Sequence, residues 1–223
     1  MNNAGERYFW MGETEMTIND YGDLISLHID MLREIANIGT GNAATSLAAM
    51  LQRTINITVP KISFLDYNEV TESVGGPEAL MVGMMLTLDR DITGMMMFLM
   101  KEEFSHMVLN SLLGQSFTSF TDVDEMGLSA MQEIGNIMAG SYVNAISQIT
   151  GLTIEISPPD ICIDMIGSIL SVPAIHFANI SDKVIFIEDE FGGDSSSNEV
   201  SNILLIPDVD SLEKIIEKLG AGL

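Results

Sequence analysis

The sequence predicts an α+β fold: two pseudo-symmetric halves, each ordered helix, strand, short helix, strand, strand, helix, sharing one mixed or antiparallel sheet with the long helices packed on it. Three observations carry this expectation. The stretch Asp30 to Ile62 recurs without gaps as Ser129 to Ile161, at a constant offset of 99 positions, and repetition at a fixed period determines architecture before any local feature does. FLMKEEFSHMVLNSLLG (98–114) is echoed in pattern by LLIPDVDSLEKIIEKLG (204–220), so the repetition runs on past the helices. In both halves a 3.6-residue apolar periodicity gives way to β-branched alternation.

Residues 1–22 lack periodicity and contain the aromatic cluster Tyr8, Phe9, Trp10. They are expected to form an N-terminal extension, either flexible, as untethered termini usually are, or docked through its aromatics. From Asp23 the apolar positions Leu24, Leu27, Met31, Ile35 and Ile38 form one helical stripe. Gly39-Thr40-Gly41 is expected to weaken or bend that helix, and Ala43, Ala44, Ala48 and Ala49 permit close approach of another helix. Thr54 to Val59 reads as a strand ended by Pro60. Asp66 to Val74 is a short helix or loop closed by Gly75-Gly76-Pro77. Leu80–Leu88 and Ile92–Met100 are strands joined at Asp89-Arg90-Asp91, with Met95 to Met97 as core. A helix from Glu102 to Leu113 stops at Gly114. After a polar loop, Asp122 or Asp124 caps a second long helix that ends at Gly151. Leu152–Ser157 is a strand ended by Pro158-Pro159, and Asp160–Leu170 a short helix or loop. Strands near Lys183–Glu188 and Ser201–Ile206 flank a loop over 191–198, and Asp210–Leu219 is the closing helix.

Composition bounds the function. The 223 residues are 47% hydrophobic and 18% charged, with a formal net charge of −23. This acidity argues against nucleic acid, whose phosphates require clustered Lys and Arg, and against an anionic membrane surface. It fits a basic or mixed-charge protein partner, or simply solubility. The lone Cys162 allows no intramolecular disulfide and no cysteine metal cluster, and the three histidines lack metal-ligand spacing. The most apolar region, Leu80 to Met100, is interrupted by LDRDITG and cannot span a membrane. Without a secretory leader pattern the chain is expected in the cytoplasm.

The repeat carries a polar set twice: Asp30, Glu34, Asn37, Pro60 and Ser129, Glu133, Asn136, Pro159. On a helix, positions 30, 34 and 37 fall at about 0°, 40° and 340°, one narrow face. Ser129, Glu133 and Asn136 share the same arrangement. Each helix therefore offers a carboxylate beside a carboxamide, with no nucleophile, histidine base or metal cage. A carboxamide can hold and aim a water molecule, and a carboxylate can anchor an ammonium group on a partner. Supplied to a partner that already holds a phosphoryl group and its metal, such a pair completes a site for in-line water attack. The alternative is that these groups satisfy one another or cap a neighbouring element.

At these residues the chain resembles the CheC phosphatases of chemotaxis, relatives of CheX and the flagellar switch protein FliY. The family pattern is Asp or Ser, three residues, Glu, two residues, Asn, twenty-two residues, Pro, and both copies fit it. The resemblance covers about 23–223 and implies a single CheC-like domain, with halves near 23–114 and 122–223. It implies hydrolysis of the aspartyl phosphate of the response regulator CheY, with Glu34 and Glu133 gripping a lysine of the regulator and Asn37 and Asn136 orienting the attacking water. Asp30, Ser129, Pro60 and Pro159 would support the helix surface and the strand behind it. No cofactor is expected on this chain, magnesium belonging to the regulator. The family further implies a second partner, the receptor deamidase CheD, with Asp164 to Ser171 as part of that contact. The internal duplication implies a monomer and favours CheC over the one-motif, dimeric CheX. The chain ends at Leu223 without a flagellar-switch domain, unlike FliY, and both intact polar sets argue against the FliM middle domain. The rival is a non-catalytic interaction module, a CheD regulator or switch scaffold.

Overall fold

The computed structural model describes residues 26–114, 116–177, 183–192 and 198–220. The N-terminal extension and the centre of the 191–198 loop lie outside the described residues. Two 26-residue helices, α1 (Ser26–Leu51) and α4 (Glu125–Thr150), open the two halves. Each is followed by two short strands, β1 (Asn56–Ile57) and β2 (Lys61–Asp66) in the first half, β5 (Ile154–Ile156) and β6 (Asp160–Met165) in the second. Then come α2 (Tyr67–Val74) and α5 (Ile166–His176), the hairpins β3 (Leu80–Arg90)/β4 (Gly94–Met100) and β7 (Lys183–Gly192)/β8 (Asn198–Pro207), and the helices α3 (Glu102–Leu113) and α6 (Val209–Gly220).

The strands form one antiparallel eight-stranded sheet whose long members run β7-β8-β4-β3. The two halves meet at β4 and β8, where Phe98 stands opposite Ile203. The short strands are exchanged between halves: β1 and β2 lie along β7, while β5 and β6 lie along β3. Each half thus completes its sheet with strands of the other, which interlocks them.

Alternation along the central strands sorts the core into two layers. Met96, Phe98 and Met100 join Leu32, Ile35, Leu47, Met131, Ile134 and Ile146 on the face covered by α1, α3, α4 and α6. Met95, Met97 and Leu99 point the other way, to Val70 and Val74 of α2 and Ile166 and Ile169 of α5. The sheet is therefore covered on both faces, and the methionines at 95–97 are buried core, as expected. Burying each such side chain stabilises by about 1.5–3 kcal/mol.

The structure corrects four expectations. The strands expected before the prolines are there but short, β1 and β5, and a longer strand follows each proline, β6 over residues read as a short helix or loop. Pro60 and Pro159 come immediately before β2 and β6, a position where the missing N–H leaves the ladder intact. The regular alternation of KISFLD and DICIDM then pairs with β7 and β3. Helix α1 passes Gly39-Thr40-Gly41 unbroken, because a Cβ at Gly39 would lie 2.6 Å from the Tyr142 ring of α4. That glycine is a contact, not a break. The buried stripe of α1 is Leu32, Ile35, Ala36, Thr40, Ala43, Ala44 and Leu47, turned from the expected one because close packing on α4 favours the small residues; Met31 and Ile38 are only half-buried. Residues 191 and 192 belong to β7 and 198 to β8, so less of that connection is loop.

Caps set the long elements. Asp124 accepts from the Gly127 N–H at the start of α4, whereas Asp122 closes the preceding 3-10 turn with Ser119. Asp66 and Glu69 form a capping box on α2. Gly94, at φ 151°, sits where a Cβ would meet the Ile206 carbonyl oxygen at 2.4 Å. Replacing it by alanine is expected to lower stability by about 2 kcal/mol or more, read as a lower urea midpoint at unchanged slope.

Candidate functional site

Helices α1 and α4 pack side by side on the sheet, and each carries one polar set on its outer face. Glu34 and Glu133 are exposed; Asn136 is exposed and Asn37 half-buried. Their opposite faces explain this placement: Ile35 and Ala36 on α1, and Ile134 and Gly135 on α4, are buried. A Cβ on Gly135 would meet the Met84 sulfur at 2.7 Å, so this glycine seats α4 on β3 and turns Glu133 and Asn136 outward. Among the described residues, Glu34, Asn37, Glu133 and Asn136 make no side-chain hydrogen bond or ion pair. The alternative of mutual satisfaction therefore does not hold for these four.

The supporting residues differ between the sets. Asp30 is exposed and pairs with Arg33 at 2.5 Å, an ion pair on the surface next to Glu34. Position 33 corresponds to Gln132, whose Nε2 instead donates to the Pro159 carbonyl oxygen at 3.1 Å. Pro159 is buried and stands 3.6 Å from where a Gly135 Cβ would be, so it supports α4 between Glu133 and Asn136. Pro60 is buried too, and Ser129 is exposed. The first set thus has a charged flank and the second a neutral one tied to the strand behind it.

Sequence reasoning missed a second polar group beneath these helices. Thr40 on α1, Tyr142 on α4 and Asp189 on β7 are all buried. Thr40 Oγ1 lies 2.5 Å from the Tyr142 hydroxyl and donates to Asp189 Oδ1 at 2.8 Å; the Tyr142 hydroxyl donates to Asp189 Oδ2. Burial pushes the Asp189 carboxyl up to about 6, against the lowering effect of the two hydroxyl donors. Burial, and then the Asp189 charge, hold the Tyr142 phenol well above its usual value. A carboxylate within the apolar strand KVIFIEDEF, and a tyrosine amid the small residues of α4, were the available signals.

The stretch 164–171 spans the end of β6 and the first half of α5, on the sheet face away from α1 and α4. Asp164, Met165, Gly167, Ser168 and Ser171 are exposed. The apolar surface runs further, through Val172 to Ile175, which is 78% exposed. A groove of about 210 Å³ between β6 and α5 is lined by Gly83, Met85, Cys162, Ile169 and Val172. No helix among the described residues is long and apolar enough to cross a membrane.

A sheet built from exchanged repeats and covered by two long helices gives this chain the fold shared by FliY and the FliM middle domain. FliY of Thermotoga maritima superposes with a TM-score of 0.72 at 25% identity, over 90% of this chain and 99% of that one. The FliM middle domain of H. pylori shares the fold, with a TM-score of 0.62 at 14% identity over 87% and 99%. The CheC-like family model matches residues 27–64 and 126–163, two segments again 99 positions apart. The CheY-P phosphatase CheC of Bacillus subtilis is 32% identical over 198 residues, covering 87% of this chain and 95% of that protein. The chain belongs to the CheC family.

Proposed function

We propose that this protein is a cytoplasmic chemotaxis phosphatase that removes the aspartyl phosphate of the response regulator CheY. The observation that carries the reading is the pair of outward Glu-x-x-Asn faces whose side chains have no partner among the described residues. A buried or internally bonded pair would have to break contacts before engaging another molecule; these do not. In this reading Glu34 or Glu133 accepts from a lysine ammonium of the regulator, a charge-assisted contact that fixes the approach. The adjacent Asn37 or Asn136 inserts toward the phosphoryl group. Its carboxamide oxygen accepts from a water while its N–H₂ donates toward the phosphoryl side, which aligns the water for in-line attack. The regulator supplies the phosphoryl group and its magnesium ion, and this chain binds no cofactor. Holding a water and a phosphoryl group in line removes orientational freedom from the reaction, the largest contribution available without a nucleophile.

The relative's name as a CheY-P phosphatase supports the same substrate. The test is phosphate release from phosphorylated CheY with and without this protein; no acceleration over the regulator alone rejects the reading. If the glutamate grip is correct, KM rises several-fold when salt goes from about 0.05 to 0.5 M while kcat stays nearly constant, because exposed ion pairs are screened over roughly 10 Å or less. A salt-independent KM removes the glutamates from recognition.

A second contact is favoured by the exposed apolar strip on α5. In this reading CheD docks over Asp164 to Ser171 and on to Val172 and Ile175, burying surface that is otherwise in water. Ile175→Glu is expected to weaken CheD binding at least about tenfold, measured by titration calorimetry, and to leave the rate of CheY dephosphorylation without CheD unchanged. Undiminished CheD binding rejects the placement. The protein acts as a monomer in this account, since one chain already contains both pseudo-equivalent halves.

A further inference from the structure

A buried carboxylate is costly unless it does something an apolar side chain cannot. Asp189 is fully buried, and both its oxygens accept from hydroxyls on different helices. One hydroxyl, Thr40, lies one turn beyond Asn37 on α1; the other, Tyr142, lies six residues beyond Asn136 on α4. The third edge of the triangle is the direct contact between those two hydroxyls. The Tyr142 ring also occupies the space a Cβ would need at Gly39. Rotation or sliding of either helix would break at least two of these contacts.

The group does not follow the repeat. The positions equivalent to Thr40 and Tyr142 in the opposite copies are Ala139 and Ala43, both buried. The two helices therefore carry buried alanines at the pseudo-equivalent positions, so helix packing alone does not require polar groups there. Ser201, the cross-strand neighbour of Asp189 in the β7–β8 ladder, is buried, and its hydroxyl has no hydrogen-bond partner among the described residues. A carboxylate satisfied on both oxygens by hydroxyls of two helices, and built once within an otherwise apolar interface, is suited to fixing a unique arrangement of those helices.

We propose that Thr40, Tyr142 and Asp189 form a positioning device that locks α1 and α4 in one relative register and so sets both acid–amide pairs for catalysis. These are positioning residues; none reaches the solvent face where the partner binds. The inference rests on the phosphatase reading for its catalytic consequence, but its structural half stands apart from it.

The test compares Asp189→Ala, Thr40→Val and Tyr142→Phe with Asp189→Asn, in which an amide can still close the ring by accepting from one hydroxyl and donating to the other. In CheY dephosphorylation the first three are expected to lower kcat by about tenfold, as misplacement by a fraction of an ångström does, with KM within about twofold. Asp189→Asn restores kcat to within about twofold. In parallel, spin labels at Asn42→Cys on α1 and Asn144→Cys on α4, both exposed, with the free Cys162 replaced by serine, report the interhelical distance. A single narrow distribution in the parent is expected to broaden or shift in the first three variants and to stay narrow in Asp189→Asn. Should Asp189→Ala fail to fold, Thr40→Val and Tyr142→Phe decide the question. Folded variants with unchanged kcat, or with an unchanged distance distribution, overturn the proposal. A parent protein without phosphatase activity overturns the proposed function instead, and the label distances alone then decide whether the triangle locks the helices.

Discussion

Replacing Asn37 and Asn136 together by alanine is expected to return phosphate release to the rate of phosphorylated CheY alone, a loss of about 100-fold or more in the accelerated rate. Both asparagines stand on rigid helices, and neither is engaged by another described side chain. Their removal therefore deletes the proposed water-orienting group without disturbing the core. Binding of the regulator should persist, because Glu34 and Glu133 remain. The measurement is stopped-flow phosphate release with a parallel binding titration. An unchanged rate with both amides gone ends the catalytic assignment. The single variants carry further information, since Asn37 is half-buried and flanked by the Asp30–Arg33 pair, while Asn136 is exposed beside a helix tied to Pro159. Loss at one position alone would rank the two sites.

Tyr142→Ala is expected to lower folding stability by about 4 kcal/mol, the largest structural effect of any substitution considered. The change empties an aromatic volume at the centre of the α1–α4 contact and withdraws a hydroxyl from a buried carboxylate. Chemical denaturation at pH 7 measures it, and a loss under about 2 kcal/mol contradicts the packing described. Asp189 adds a pH signature. Its folded value of about 6 lies above the 3.8 of the free side chain, so between those limits the folded state binds more protons than the unfolded one. Its contribution to stability is fully present below about pH 4 and is lost as pH rises through about 6, by up to about 3 kcal/mol. Asp189→Asn should flatten that part of the stability profile; a slope that survives the substitution places its origin elsewhere.

The repeat made most of the fold legible. An ungapped offset of 99 residues placed both long helices and set Glu34, Asn37, Glu133 and Asn136 on matching faces, while the hairpins and closing helices were read from their own alternation and from the looser echo of 98–114 in 204–220. Two features were not legible. KISFLD and DICIDM read poorly as strands because each follows proline and borders a helix start, and their partners β7 and β3 are more than 100 and about 80 residues away in sequence. Such pairing is decided by tertiary contacts and not by local preference. The Thr40–Tyr142–Asp189 triangle was hidden for a related reason. It breaks the repeat that served as the guide, and joins residues separated by 102 and 47 positions. Gly39 illustrates the same limit: helix propensity argued for a break, and an aromatic ring across the interface outweighed it.

The two-sided covering of the sheet constrains how occupancy on one side can influence the other. A molecule seated on α5 and another seated on α1 or α4 stand back to back, with a full β-layer between them, so neither excludes the other by bulk. Simultaneous occupancy is the sterically natural state. Any mutual effect has to pass through the interior, where Met84 touches α4 from one side of β3 while Met81 and Met85 face α5 from the other. Thioether side chains with several rotatable bonds are the least stiff filling available for that passage.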